Sequence, residues 1–402
     1  MTNKPLRIGI DARPLQNHHK YRGIGHFLYN SLEALSKLDN KNHYTLYLLN
    51  DSRDDLPPLT ASFDYKIKIV PTARLGARGI LDNLRPRTSM IWASGIDIFF
   101  QPDISQGLPA KPIASVSMLY DLIPLIFKKH YFPKWDLSLS KRLYSANKQA
   151  SVARLVYRQQ LHLYRRASRI LAISEATRQD AIERLRGVDA SHLKTIYLAP
   201  SEAGKADPDA LSRLKITKSY ILYIGSIDYR KNVPALISAF EEIRSRGFDT
   251  QLVLVGKDFT LPESKSNEAE SIRRLKAASK YGDDIIIPGY VDDSQRYTLY
   301  KQARMFVFPS LYEGFGLPVL EAMAAGCPVV ALSNSSIPEA AGDAAMLLSS
   351  SEQLTDGIAE LLGNPEKSKE MISKGYKQAK KFTWDKTAAE ILAALDDVGK
   401  KQ

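Results

Sequence analysis

The stretch Ser310-Leu-Tyr-Glu-Gly-Phe-Gly-Leu-Pro-Val-Leu-Glu321 lies between two short apolar segments of a 402-residue chain. Residues 305–308 before it and 328–332 after it have the composition of buried parallel strands. Pro318 suits the start of a helix, and glycine followed closely by proline at 326–328 ends one. This strand, loop, helix and strand order predicts an α/β fold whose loop lies at the carboxyl edge of the sheet, where ligands bind.

Two carboxylates stand eight residues apart in this stretch, Glu313 in the predicted loop and Glu321 in the first turns of the helix. Gly314 and Gly316 would let the backbone between them approach a ligand closely. A carboxylate only accepts hydrogen bonds, so it suits a vicinal diol. The alternative is two solvated glutamates beside an ordinary turn, which is common for isolated glutamate pairs.

The longer phrase from Tyr312 to Val330 resembles the E-x7-E signature of the family 4 retaining glycosyltransferases, which have the two-domain GT-B fold. The resemblance extends over most of the chain, and the Arg-Lys-Asn form with Tyr-Asp-Leu-Ile-Pro is most like mannosyl- and rhamnosyl-type members of bacterial surface polysaccharide synthesis. Further matching segments are 8–13 with 23–25, 120–124, 169–177, 221–232, 252–256 and 288–291. The family resemblance implies a fold of two Rossmann-like parallel-sheet domains facing a cleft.

The resemblance also implies roles for single residues. Glu321 would accept hydrogen bonds from both ribose hydroxyls, and Glu313 would contact the donor sugar. Lys231 matches the diphosphate-binding lysine, whereas Arg230 replaces an arginine that more often follows the strand-end glycine directly, where this chain has Ser226. The remaining donor-binding positions are the amides of Phe315, Gly316 and Leu317, the loop glycines Gly23 and Gly25, the base-contacting Tyr290 and Val291, and the pair Tyr120 and Asp121.

Tyr120-Asp121 departs from the family pattern, because tyrosine stands where the family has histidine.

Arg230 and Lys231 follow a predicted strand and open a predicted helix, so two cations and the helix N-terminus would converge on phosphate oxygens. The alternative for Arg-Lys before a helix is ordinary surface charge.

Strand-like runs alternate with helix-length segments, which predicts two parallel sheets. The predicted strands are 6–11, 44–49, 66–70, 96–100, 113–119 and 170–174 in the first half, and 220–224, 251–255, 284–287, 305–308 and 328–332 in the second. The predicted organisation is a first domain over 1–198, a linker at 199–218, a nucleotide-sugar-binding domain over 219–381, and a helix over 382–402 that returns to the first domain, as the resemblance implies.

Most of the net charge of +12 lies in one basic region, residues 128–169, which holds eleven Lys or Arg and one acid. A helix is predicted over 137–167, with Arg154, Arg158, Arg165 and Arg169 forming one stripe at helical spacing. Basic side chains near the aromatic residues Tyr131, Phe132 and Trp135 suit an anionic membrane surface. A merely solvated helix is the alternative, and no nucleic-acid module accompanies the patch.

The amino end lacks the apolar core of a signal peptide, and no window has the roughly 18 apolar residues of a membrane span, so a cytoplasmic protein is expected. The single cysteine, Cys327, is expected to be a packed residue. No metal or cofactor is expected for the activity that the resemblance implies, and the one D-x-D segment considered, Asp207-Pro-Asp209, is interpreted as a turn and helix cap.

These features favour a metal-independent retaining hexosyltransferase that uses a GDP-sugar, or a UDP-sugar, and a glycan or lipid-linked acceptor at the inner membrane face. Two alternatives remain open at this point. One is a nucleotide-sugar epimerase of the same architecture, and the other is a non-enzymatic protein that binds membranes or polyanions.

Overall fold

The structure is a computed structural model with two compact units. The first unit comprises Met1–Leu198 and Thr383–Gln402, and the second comprises Ala199–Phe382. The described residues are 4–20, 23–70, 95–104, 113–131, 148–201, 204–260 and 267–400.

A seven-stranded parallel sheet forms the centre of the first unit, in the order β3-β2-β1-β4-β5-β6-β7. Its strands are β1 (Arg7–Asp11), β2 (His43–Leu48), β3 (Tyr65–Ile69), β4 (Ile98–Gln101), β5 (Ala114–Leu119), β6 (Arg169–Ala172) and β7 (Leu193–Thr195). Its helices are α1 (Gly23–Leu38), α2 (Ile123–Ile126), α3 (Lys128–Tyr131), α4 (Lys148–Leu163) and α5 (Glu175–Arg184). The central strands are buried along their whole length, which explains their continuous apolar composition.

The last helix, α14 (Trp384–Gly399), belongs to the first unit, where it packs against α1 and the sheet. Thr383 caps it, as predicted, by accepting a hydrogen bond from the backbone N–H of Lys386. The Trp384 ring lies 6.3 Å from that of Phe27, and the Thr387 hydroxyl donates to the carbonyl of Tyr197 at 2.7 Å. Covering α1 therefore requires a segment that is distant in sequence.

The second unit has a six-stranded parallel sheet in the order β10-β9-β8-β11-β12-β13. Its strands are β8 (Tyr220–Ile224), β9 (Gln251–Val255), β10 (Ile285–Gly289), β11 (Met305–Phe308), β12 (Val329–Leu332) and β13 (Met346–Leu348). Its helices are α6 (Ala210–Arg213), α7 (Val233–Ser245), α8 (Asn267–Ala278), α9 (Asp293–Gln302), α10 (Leu317–Ala324), α11 (Ile337–Ala341), α12 (Leu354–Gly363) and α13 (Pro365–Ala379).

The two parallel sheets confirm the predicted α/β class. The sequence missed β7 and β13, which are edge strands of three residues each. Residues 199–218, the expected linker, lie within the second unit, where the backbone N–H of Asp207 donates to the Thr298 hydroxyl at 2.8 Å. The composition signals that suggested a linker mark turns around the short helix α6.

Candidate functional site

Glu313 is the centre of a buried ionic cluster in the second unit. Its Oε1 accepts a hydrogen bond from Lys231 Nζ at 2.6 Å, and Arg230 Nη1 lies 2.7 Å from its Oε2. Glu313 and Lys231 are only 7% and 6% exposed. The structure thus brings together three of the residues that the sequence singled out, although they lie in segments far apart along the chain.

Local backbone contacts place the two cations. After β8 the chain makes a 3-10 turn, Tyr229–Lys231. The Asp228 side chain caps this turn by accepting a hydrogen bond from the backbone N–H of Arg230. Arg230 Nη1 donates to the carbonyl of Tyr312 at 3.0 Å, while the Arg230 carbonyl accepts from Leu311 N at 2.6 Å. This loop is therefore bonded directly to the loop that carries Glu313.

Burial and neighbouring charges together shift the pKa values of Glu313 and Lys231. Burial raises the pKa of Glu313, but Lys231 and Arg230 lower it by more, so the carboxyl stays ionised. Burial lowers the pKa of Lys231, Glu313 raises it and Arg230 lowers it again, and the net direction is down. Two cations face Glu313 here, and Asp228 Oδ1 lies farther off, 3.9 Å from Arg230 Nε. Guanidinium and ammonium groups are suited to bind a further anion such as a phosphate.

The polar residues that follow β12 hold the Glu313 loop, and the sequence prediction missed them. The backbone N–H of Glu313 donates to Ser335 Oγ at 2.9 Å, and the Ser336 hydroxyl donates to the Glu313 carbonyl at 3.0 Å. Asn334 Nδ2 donates to the Ser310 carbonyl at 2.9 Å. The signal was present, since a run of Asn and Ser directly after a buried strand lies at the ligand-binding edge of the sheet.

Glu321 lies on α10 and faces a different set of partners. Tyr300 Oη stands 3.3 Å from its Oε2, and Ser201 Oγ stands 3.5 Å from its Oε1. Burial and the neighbouring Glu321 raise the pKa of Tyr300, so the phenol stays a donor. Both contacts are long for hydrogen bonds, and the carboxylate therefore retains capacity to accept from ligand hydroxyls.

A cavity of about 170 Å³ opens beside Glu321. It is lined by Ser201, Gly204, Asp293, Arg296, Tyr297, Tyr300, Glu321, Ala324 and Ala325. Sequence reasoning did not select the residues of α9 in this set. Their polar side chains occupy the first turns of a helix that directly follows the predicted base-contacting segment at Tyr290.

Gly316 immediately precedes α10 as its N-cap residue and has a φ of +101°, a conformation that favours glycine. A Cβ at this position would lie 2.8 Å from Ile337 Cδ1. Phe315 is buried, and its ring packs on that of Phe382 at 5.6 Å, so its side chain anchors the turn. Leu317 begins the helix, where the first backbone N–H groups have no partner within the helix itself. The predicted amide site thus lies at a helix start.

Tyr290 and Val291, which were predicted together as base-contacting residues, differ in their exposure to solvent. Tyr290 follows β10 and is 72% exposed, whereas Val291 is buried. Tyr290 is thus an exposed aromatic surface at the carboxyl edge of the sheet, and Val291 is a packing residue.

In the first unit, Tyr120 and Asp121 follow β5 at the carboxyl edge of its sheet. The Tyr120 hydroxyl is buried, with no hydrogen-bond partner among the residues described, and its ring contacts Phe27 edge-on at 5.8 Å. Burial, then the charge of Asp103, raises the pKa of Tyr120. Asp121 Oδ1 accepts from the backbone N–H of Ile123 at 2.9 Å. Asp103, which the sequence analysis did not select, is buried near Tyr120.

The expectation of a glycine loop at 23–25 is corrected. Gly23 is the first residue of α1, and Gly25 lies in its first turn. A Cβ on Gly25 would come within 2.3 Å of the His19 carbonyl oxygen and 2.7 Å of that of Lys20. Gly25 is therefore explained by close backbone packing of the preceding turn against the helix.

The prediction that Arg154, Arg158, Arg165 and Arg169 form one stripe on a helix surface is also wrong. Arg154 is 4% exposed, because it shares a helix face with Tyr157 and Leu161, which pack on a hydrophobic cluster. Helix α4 ends at Leu163, and Arg169 lies in β6, where it donates to the Ser191 carbonyl and pairs with Asp397. Arg158 and Arg165 are exposed. Lys134, Lys141, Arg142 and the aromatic residues Phe132 and Trp135 lie outside the described residues.

Within the described ranges, no group of three or more His, Cys, Asp or Glu is placed to hold a metal ion. Over the same part of the chain, no helix combines the length and apolar character that crossing a bilayer requires. Cys327 is buried, and burial raises the pKa of its thiol, so it is packed as predicted.

Comparison with known proteins finds similarity to one family model and to several glycosyltransferases. The family model described as glycosyl transferases group 1 matches residues 210–378, which lie inside the second unit. The chain is 31% identical over 240 residues to O-antigen chain mannosyltransferase B of Escherichia coli, covering 57% of this chain and 60% of that protein. It is 29% identical over 429 residues to the serotype-specific mannosyltransferase WbdA of Escherichia coli, covering 95% of this chain and 47% of that protein.

The chain thus spans 47% to 60% of the length of these two relatives. Among solved structures, sucrose-phosphate synthase from Thermosynechococcus elongatus has a TM-score of 0.69 at 17% identity, over 99% of this chain and 100% of that one. Residues 210–378 therefore resemble the glycosyl transferases group 1 family, and the chain has the GT-B fold.

Proposed function

We propose that this chain is a retaining, metal-independent glycosyltransferase that moves a hexose, with mannose favoured, from a nucleoside diphosphate to a glycan or lipid-linked acceptor. The observation that carries the proposal is the buried Glu313 held between Arg230 and Lys231. The matches to two mannosyltransferases support the sugar. Retention of configuration and independence of metal come from the family resemblance stated for the E-x7-E phrase.

The chemistry assigns a task to each side chain. The bond between the anomeric carbon and the diphosphate oxygen breaks, the acceptor hydroxyl oxygen bonds to that carbon, and the hydroxyl proton leaves with the diphosphate or to solvent. Arg230 and Lys231 would stabilise the departing diphosphate, since preorganised cations act most strongly in a buried site. Glu321 would accept hydrogen bonds from the ribose diol, and Glu313 would contact the sugar.

The test is product formation with purified chain, GDP-mannose or a UDP-hexose, and a mannosylated glycan acceptor. We expect release of the nucleoside diphosphate to require the acceptor, and Glu321→Ala to weaken donor binding by at least about tenfold, since it removes charge-assisted hydrogen bonds. Formation of an isomeric sugar without acceptor would instead identify an epimerase. Turnover of no donor, with binding to anionic vesicles retained, would identify a binding protein.

The two glycines Gly316 and Gly247 provide a matched pair of backbone variants. Both have positive φ, +101° and +92°, so alanine costs each about 1–2 kcal/mol of stability. A Cβ on Gly316 also meets Ile337, whereas one on Gly247 meets nothing within 4 Å. We expect Gly316→Ala to lower turnover by about tenfold or more, because it displaces the start of α10. Gly247→Ala should leave turnover unchanged in the same assay, and equal losses would contradict this role for the turn.

A peripheral position on the inner face of the membrane accords with a lipid-linked acceptor, and the exposed Arg158 and Arg165 are the side chains on which it depends. Each cation near an anionic surface contributes about 1 kcal/mol, so Arg158→Glu with Arg165→Glu should reduce cosedimentation with phosphatidylserine vesicles at least about tenfold. The control is Arg274→Glu with Lys369→Glu, which makes the same charge change at exposed residues of the second unit. Equal losses in the two double variants would leave only a net-charge effect.

A further inference from the structure

Backbone strain is concentrated next to the Glu313 cluster. Across the described part of the chain, three non-glycine residues have a positive φ, namely Lys215 at +58°, Asn232 at +52° and Ser335 at +45°. A Cβ crowds the backbone in this left-handed region, so residues other than glycine rarely adopt it. Asn232 directly follows Lys231, and Ser335 bonds the backbone of Glu313. Two of the three strained positions therefore adjoin the residues of the proposed chemistry.

Two of these three conformations have local explanations. Asparagine enters the left-handed region more readily than most residues, which accounts for Asn232. Lys215 follows the short helix α6, where its backbone N–H donates to the Ser212 carbonyl at 3.0 Å and the N–H of Ile216 donates to that of Leu211 at 2.9 Å. This pair of bonds is the Schellman motif, which requires a left-handed residue after a helix. Serine has no such intrinsic preference, and Ser335 does not follow a helix.

The Ser335 hydroxyl makes a contact that glycine could not make. Its Oγ accepts a hydrogen bond from the backbone N–H of Glu313 at 2.9 Å and donates to Asn334 Oδ1 at 3.2 Å. The next residue, Ser336, donates from its own hydroxyl to the Glu313 carbonyl at 3.0 Å. Both peptide groups that flank the Glu313 Cα are therefore held by one strained turn.

Glycine would adopt the φ of Ser335 without strain, but it has no hydroxyl. A glycine there would leave the backbone N–H of Glu313 without this partner. The chain thus carries serine at a position where the backbone favours glycine, and the bond to Glu313 is what serine adds. Strain of this kind lowers stability, and folded proteins retain it mainly at functional sites.

We propose that Ser335 is a positioning residue for sugar transfer, whose hydroxyl fixes the place of Glu313 against Lys231 and Arg230. This inference rests on the proposed function, in which Glu313 contacts the donor sugar. Ser335 acts only through Glu313, so its effect falls on the chemical step and not on capture of the nucleotide. A small displacement is sufficient, because misplacing a reacting group by about 1 Å can cost about 10²-fold in rate.

The experiment measures kcat, donor KM and the urea midpoint of unfolding for the full chain, with GDP-mannose and a UDP-hexose as donors. Ser335→Gly removes the hydroxyl and relieves the strain, whereas Ser335→Ala removes the hydroxyl and keeps the strain. We expect both to lower kcat at least about tenfold with donor KM within about threefold of wild type. The glycine variant should nevertheless unfold at a higher urea concentration than the alanine variant.

Ser335→Thr tests the opposite combination. Threonine keeps the hydroxyl, but a β-branched residue fits the left-handed region worse than serine does. This variant should therefore unfold at a lower urea concentration than wild type and keep kcat within about twofold, since the bond to Glu313 remains. Across the variants at this position, activity should follow the hydroxyl, and stability should follow the strain.

Lys215→Gly is the matched control, because it relieves the same kind of strain at the end of α6. Its kcat should equal that of wild type, with a urea midpoint that is equal or higher. A kcat that follows the urea midpoint across all four variants would overturn the proposal, since a merely structural residue gives that pattern. Full kcat in Ser335→Gly would overturn it as well and leave the proposed function intact. Failure of the wild type to turn over either donor would overturn both.

Discussion

Replacing Lys231 with methionine is expected to lower donor turnover by about 10²–10³-fold, which is the usual effect of removing one preorganised charge from a developing anion. The methionine keeps the length and the apolar stem of lysine, so the change is confined to the ammonium group. In the resting protein that ammonium contacts Glu313 at 2.6 Å and lies 4.8 Å from the Phe308 ring centroid. The measurement is single-turnover release of the nucleoside diphosphate at saturating donor.

The same variant should also lose stability, because Glu313 then loses one of its two cationic partners in a buried site. A second variant separates folding from catalysis. Lys231→Met combined with Glu313→Gln removes both charges, so stability should recover relative to Lys231→Met alone while turnover stays low. Lys369→Met, at an exposed residue of α13, is the matched control and should change neither quantity. Full turnover in the double variant would refute the assignment of both residues.

The second large effect concerns Glu313 and pH. Lys231 and Arg230 hold the pKa of Glu313 below its usual value against the opposing effect of burial. A carboxyl with a lowered folded-state pKa contributes stability that is complete above its unfolded pKa, about 4.3, and is lost as pH falls toward the folded value. Glu313→Gln should therefore destabilise the protein by about 3–5 kcal/mol at pH 7, since it leaves the buried Lys231 and the part-buried Arg230 without their nearest counter-charge.

The difference in unfolding free energy between wild type and Glu313→Gln should shrink as pH falls below about 4.3, because the wild type then loses the same interaction. Urea unfolding at pH 7, 5, 4 and 3.5 follows this difference. Glu366→Gln, at a carboxylate that is 82% exposed, is the control and should stay near the wild type throughout. A Glu313→Gln difference that is independent of pH would show that the carboxyl is not held ionised by its neighbours.

Strands with a continuous apolar run could be predicted from sequence, and β8, β9 and β11 have the predicted bounds. The strands β7 and β13 could not, because three residues at a sheet edge carry too short a pattern to separate from a loop. The longer strands, including the edge strands β3 and β10, could be predicted and they define the fold class, whereas the three-residue strands β7 and β13 are decided by tertiary pairing.

Residues that cluster in the structure could be predicted where a motif placed charged side chains between a predicted strand and a predicted helix, as for Arg230, Lys231 and Glu313. Arg154 shows the opposite case, because a stripe of like charges has helical periodicity but does not say which face is covered. The apolar partners that decide this, such as Tyr157 and Leu161, share the face with Arg154. Ser335 and Ser336 were missed because their role is to bond the backbone of another loop, and such pairing is visible only in three dimensions.

The late return of the chain to its first unit has a consequence for biosynthesis. On the ribosome, residues of the first unit emerge well before Trp384–Gly399, and elongation at about 5–20 residues per second separates the two events by many seconds. During that interval the apolar side of α1 around Phe27 is not covered by α14 and stays exposed to solvent. The second unit, in contrast, is one continuous stretch of chain that can fold as soon as it is translated. The first unit is thus expected to need chaperone protection until Trp384–Gly399 has been synthesised.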